Sequence, residues 1–132
     1  MLNLLFTYGW VMESIKNMLA SENITHQQFN ILRILRGSHP KPLSTLQIRE
    51  RMLDKMSDTS RIVDRLIAKE LVRKTVCSND KRLVDVVITE KGQKILKRLD
   101  AKSDHVPEIM ANLSENDAEM LSSLLDKLRG SE

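Results

Sequence analysis

The stretch SDTSRIVDRLIAKELVRKTVCSNDKRLVDVVITEKG, Ser57 to Gly92, changes its periodicity halfway along. In its first half Ile62, Val63, Leu66 and Ile67 recur on one face of a helix, and Asp58, Thr59, Arg61 and Arg65 fall elsewhere. Ser57 is a natural N-cap for that helix, because a short side-chain oxygen can accept an orphan N–H of the first turn. In the second half LVRKTVCS and LVDVVIT are rich in β-branched residues, and Val84, Val86 and Ile88 alternate onto one face. A charged connection, Ser78 to Arg82, joins these two strands, and Thr89 then caps a further helix running from Glu90. The run therefore reads as helix, β-hairpin and helix start.

Upstream, THQQ places Thr25 three residues before Gln28, and STLQ places Ser44 three before Gln47; both are capping-box spacings. The first opens a helix with Phe29, Leu32 and Leu35 on one face, ending at Gly37. The second opens a short helix through about Met52, after a loop SHPKPL whose prolines disfavour helix. Two short helices joined by LDKM, the second polar and basic at its start, form a helix-turn-helix. Downstream, Pro107 breaks the helix begun at Glu90, and Ser114 with Asp117 opens a last one ending at Gly130. The first helix carries Leu2, Leu5, Phe6, Trp10, Val11, Met18 and Leu19, and the last Met120, Leu121, Leu124, Leu125 and Leu128, on more than one face. Helices apolar over so much of their circumference are buried on two sides. In a small chain the second side is most simply another subunit.

At 132 residues the chain is one domain by length, with an ordinary 41% hydrophobic and 30% charged composition. No apolar run approaches the ~20 residues of a membrane span, and the N-terminus lacks the basic region and cleavage site of a signal peptide. A cytoplasmic location is expected. The single cysteine, Cys77, forms no internal disulfide; a sensing thiol would need a depressed pKa and access, and a small apolar role fits its strand better. His26, His39 and His105 are scattered, so no metal site is expected. Nucleophile–base pairs and glycine-rich phosphate loops are likewise lacking, which argues against an enzyme and against a cofactor.

Charge is unevenly placed. Arg33 to Arg98 holds 17 Lys/Arg against 8 Asp/Glu, and the two flanks together hold 4 against 10. A basic middle between acidic ends suits a polyanion-binding core. A helix-turn-helix followed by a hairpin is a winged helix, mainly α with a small β wing. Its second helix can enter the major groove of DNA, and a hairpin tip carrying arginine can reach the minor groove.

SRIVDRLIAKELVRK followed by NDKRLVDVVITEKG resembles the MarR family (multiple antibiotic resistance regulators). The matching elements are Asp64-Arg65-Leu66, Asp80-Lys81-Arg82 and Ile88-Thr89-Glu90-Lys91-Gly92, and the helix order agrees over nearly the whole chain. The resemblance implies one domain over residues 1–132, with residues 25–92 as the DNA-binding winged helix-turn-helix and residues 1–24 and 93–132 as dimerisation helices. It implies a homodimeric regulator of transcription, usually a repressor, released by a small-molecule effector and bound to a palindromic operator in double-stranded DNA. On that reading Ser57, Asp58, Thr59, Ser60, Arg61 and Arg65 form the recognition surface. Lys81 reaches a phosphate, Arg82 enters the minor groove, Asp80 braces Arg82, and Asp64 orients a neighbouring arginine. Asp58 either favours the helix N-terminus or accepts from a cytosine amine. An effector pocket between the dimer helices and the winged helix would lie near Phe6, Trp10, Phe29 and Leu32. The competing expectation is a winged-helix module that binds protein. Glu70 stands where the family often has glycine, which would alter the wing's angle.

Overall fold

Three of the expected capping boxes form. Thr25 and Gln28 exchange side-chain and backbone hydrogen bonds at 3.1 Å in both directions, opening α2 (His26–Ser38). Ser44 and Gln47 do the same for α3 (Thr45–Arg51), and Ser114 and Asp117 for α6 (Glu115–Leu128). The computed structural model describes residues 1–76, 84–102 and 109–130. In chain order the remaining elements are α1 (Leu2–Leu19) with a 3-10 turn (Ala20–Glu22), β1 (Leu43–Ser44), α4 (Thr59–Ala68), β2 (Val72–Val76), β3 (Val84–Ile88) and α5 (Glu90–Lys102).

The hairpin strands pair antiparallel from Val72↔Ile88 to Val76↔Val84. A third strand, not expected from the sequence, completes the sheet in the order β1-β3-β2, with Leu43↔Val86 and Ser44↔Asp85 in register. Two residues are too short a run to display a period of two, so SHPKPL read only as loop.

Contacts divide the chain into two units, Met1–Asp100 and Ala101–Glu132. The core of the first is made by Ile31, Leu32 and Leu35 from α2, Ile48 from α3, Val63 and Leu66 from α4, Val86 and Ile88 from β3, and Leu96 and Leu99 from α5. Burying a side chain of this size is worth ~1.5–3 kcal/mol each, so this cluster holds the helix-turn-helix against the sheet. Ion pairs Arg36–Asp100 (2.6 Å) and Arg98–Glu22 (2.8 Å) tie α5 to α2 and to the 3-10 turn, and the Glu22 bond raises the Arg98 pKa. By contrast α1 buries only Leu19, with Phe6 79% and Trp10 49% exposed. In the second unit α6 buries nothing, leaving Met120, Leu121, Leu124 and Leu128 exposed. Large apolar side chains thus stand exposed on α1 and on α6.

The exit from α4 is built with care. Glu70 lies at φ 62, in the left-handed region. Its N–H donates to the Ile67 carbonyl (2.9 Å) and the Leu71 N–H to the Leu66 carbonyl (3.0 Å), the bond pair of a Schellman ending. Glutamate thus adopts the conformation that glycine favours, rather than re-routing the exit. An L side chain pays for that conformation, and the exposed Lys91–Glu70 pair at 3.7 Å offsets little. Glu70→Gly is therefore expected to stabilise the fold by about 0.5–1 kcal/mol, raising the thermal midpoint by roughly 2–4 °C. A lower midpoint in a calorimetric scan would refute that reading.

Candidate nucleic-acid interface

Helix α4 turns its inner stripe, Thr59, Val63 and Leu66, into the core. The opposite face carries Ser60, Arg61, Asp64 and Arg65, all exposed. These positions follow one another at i, i+1, i+4 and i+5, so one stripe of the helix presents two guanidinium groups to solvent. Ser57 is half-buried just ahead of it.

One expectation for this helix is corrected, and two of its candidate residues are placed. The N-cap is Asp58, not Ser57: Asp58 Oδ1 accepts the Arg61 N–H at 3.3 Å. Ser57 instead closes the preceding turn, its N–H donating to the Asp54 carbonyl at 3.3 Å. Thr59 is 4% exposed and its hydroxyl has no partner among the described residues, so its side chain is not part of the exposed face. It lies four residues before Val63 and seven before Leu66, which continues the buried stripe. Asp64 pairs with Lys74 on β2 at 3.2 Å, so among the described residues its cationic partner is a lysine. Asp80, Lys81 and Arg82, with Cys77, lie outside the described residues.

Further basic residues are exposed on α3 and β2, which pack beside α4, and on the turn between α3 and α4. Arg49 and Arg51 of α3, Lys55 of the turn, and Arg73 and Lys74 of β2 are exposed. The turn is fixed by Asp54, whose Oδ1 accepts the Met56 N–H at 3.0 Å, and by Asn30 Oδ1, which accepts the Leu53 N–H at 3.0 Å. The Met56 N–H holds the Asp54 carboxyl below its usual pKa. At the other end of α4, three successive carbonyls are taken up. Lys91 Nζ donates to Lys69 O (3.1 Å), Thr89 Oγ1 to Glu70 O (2.7 Å) and Thr89 N–H to Leu71 O (3.0 Å). The same Thr89 hydroxyl accepts the Gly92 N–H at 3.1 Å, capping α5. Lys69 Nζ reaches back to the Asn23 carbonyl at 2.6 Å and Gln28 Oε1 at 3.3 Å. Helix α4 is thereby set by contacts at both ends before any partner arrives.

A cleft of about 370 Å³ lies between α1 and α2, lined by Tyr8, Met12, Ile15, Phe29, Arg33 and Met52 among others. The Arg33 guanidinium sits 5.5 Å from the centroid of the Phe29 ring, within cation–π range. Of the four expected pocket residues only Phe29 lines this cleft. Leu32 is a fully buried core residue, and Phe6 and Trp10 project from α1 into solvent. Among the described residues no His, Cys, Asp and Glu cluster could hold a metal ion, and no helix is long and apolar enough to cross a membrane.

Comparison with known proteins agrees with this architecture. The MarR family model matches residues 24–84. The HTH-type transcriptional regulator MhqR of Bacillus subtilis is 27% identical over 124 residues, spanning 92% of this chain and 83% of that protein. A mutant MarR from E. coli, solved in complex with operator DNA, superposes with TM-score 0.85 at 24% identity, over 95% of this chain and 89% of that one. Bordetella bronchiseptica BpsR, whose DNA binding is regulated by 6-hydroxynicotinic acid, gives 0.84 at 18% identity over 98% and 91%. With the helix order, the three-stranded sheet and these matches in agreement, the chain is similar to the MarR family over residues 24–84 and has the fold of its winged helix-turn-helix regulators.

Proposed function

We propose that this chain is a sequence-specific, double-stranded DNA-binding repressor that acts in the cytoplasm as a homodimer on a palindromic operator. The observation that carries the reading is the exposed stripe of Ser60, Arg61, Asp64 and Arg65 on a helix whose other face is locked in the core. Such a stripe fits the major groove, where arginine pairs with guanine O6 and N7. The E. coli structure solved with operator DNA supports DNA as the partner. Arg82 is assigned to the minor groove with Asp80 as its brace, and Lys81 to a phosphate. The exposed apolar side chains of α1 and of α6 support dimerisation, since exposed apolar patches of this kind mark protein contacts. Two copies would place their α4 helices about one DNA turn (~34 Å) apart. The cleft beside Phe29 is the candidate effector site: apolar walls with the Arg33 cation fit a small aromatic acid, in keeping with the ligand named for BpsR. An effector there would press on Met52 and Leu53, the residues that lead into the turn before α4.

The test is binding of duplex DNA across a salt series. Each phosphate neutralised should add about 0.9 to the magnitude of the slope of log K against log salt, so six contacts give a roughly thousand-fold loss from 50 to 200 mM. An affinity that barely changes over that range would reject DNA as the partner.

A further inference from the structure

On an otherwise polar and basic surface, the helix-turn-helix exposes three large apolar side chains: Leu46 (63%), Leu53 (87%) and Met56 (93%). Single exposed hydrophobics are ordinary and need no explanation. Leu46 and Met56 are not isolated, however. They line one cleft of about 430 Å³ at the first turn of α4, together with Arg49, Asp58, Thr59 and Ser60. Nor is Met56 placed by chance. Its N–H is held by Asp54 Oδ1, and the neighbouring Ser57 N–H by the Asp54 carbonyl, so the turn is braced with Met56 turned outward.

The surroundings select the occupant. Arg49 lines the cleft and is exposed, and Lys55 and Arg61, exposed too, adjoin the lining residues Met56 and Ser60 in the chain. Asp58 is the carboxylate on its wall, and it is engaged in accepting the Arg61 N–H. An apolar partner would leave these cations without counter-charge, whereas a polyanion neutralises them. Among the groups DNA displays in its major groove, one is apolar, the 5-methyl of thymine.

We propose that Leu46 and Met56 form a receptor for a thymine 5-methyl group, making the α3–α4 turn a second specificity element beside the arginine stripe of α4. This rests on the DNA-binding reading above. It adds a base preference that the charged stripe alone does not supply, because the guanidinium groups select guanine.

Duplexes enriched by the full chain from a random pool supply the probe. The enriched sequence is resynthesised with deoxyuridine in place of thymidine, one position at a time, which deletes the methyl and keeps the base pair. The wild-type chain should lose about fourfold in affinity at one or more positions per half-site, the worth of one buried methyl. Leu46→Ala, Met56→Ala and their combination should bind the thymine and uracil duplexes equally. Both side chains are exposed, so an unchanged thermal midpoint certifies the fold of each variant. Wild-type affinity indifferent to the methyl at every position overturns the proposal, as the result expected if the apolar pair served a protein partner. Variants that keep the full discrimination overturn it too. Either outcome leaves DNA binding itself standing, whereas failure to enrich any duplex defeats that reading first and this one with it.

Discussion

Gly92→Ala is expected to destabilise the fold by about 2–3 kcal/mol, seen as a thermal midpoint lowered by roughly 6–12 °C. A Cβ on Gly92 would lie 2.4 Å from the Leu71 carbonyl oxygen and 2.8 Å from Ile88 Cγ1. The oxygen is backbone and already accepts the Thr89 N–H, so it cannot retreat without breaking the cap that joins α5 to the end of α4. Alanine's better helix propensity, ~1 kcal/mol, works in the opposite direction and is smaller than the overpacking cost. Gly37→Ala provides the control. Gly37 is also helical, but a Cβ there meets nothing within 4 Å. The same chemical change should leave that variant unchanged or more stable by up to ~1 kcal/mol. Equal midpoints for the two variants in circular-dichroism melts would show that the close approach at Gly92 is relaxed in solution.

Replacing Arg61 and Arg65 together by alanine is expected to weaken binding to the selected operator by about 100-fold or more. Each bidentate contact to guanine is worth ~1–3 kcal/mol, and about 1.4 kcal/mol is tenfold. The loss cannot be charged to unfolding. The two arginines are exposed and stand at i, i+4, where like charges disfavour a helix by ~0.2–0.5 kcal/mol, so their removal relieves repulsion. The salt slope separates two roles for them. If they read bases, specific affinity falls much more than non-specific affinity. If they touch phosphates, both fall together and the slope loses about 0.9 per contact. An operator affinity within twofold of wild type, in a fluorescence-anisotropy titration, would remove α4 from the interface.

What the sequence displays, and what it hides, follows from the range of each interaction. Capping boxes are local, and the spacings at Thr25, Ser44 and Ser114 each gave the expected helix start. The alternating valines likewise gave the pairing of β2 with β3. Adjacent candidates are harder to separate. Ser57 and Asp58 can both cap, and the choice falls to Asp58 because the Asp54 turn engages the Ser57 backbone. Thr59 was legible in principle, since it extends the stripe of Val63 and Leu66, but a hydroxyl does not announce burial. The cleft beside Phe29 takes its other walls from Tyr8, Met12 and Ile15 on α1 meeting α2, a pairing that only the tertiary arrangement creates. The Asp64–Lys74 pair and the carbonyl contacts of Lys91 and Thr89 are of the same kind, joining residues 10 to 22 positions apart. Glu70, where the family often has glycine, takes the left-handed backbone that glycine favours.

Because Lys91 and Thr89 hold the carbonyls of residues 69 to 71, the start of β2 and the end of β3 are gathered at a closed neck. The strands are also bound to the body, through Val86 in the core, β1 beside β3, and Lys74 of β2 paired with Asp64 of α4. The sequence joining the two strands could therefore change in length or charge over evolutionary time while the helix beside them kept its aim. On the proposed reading, preference in the minor groove and preference in the major groove would then drift as separate traits within one small chain.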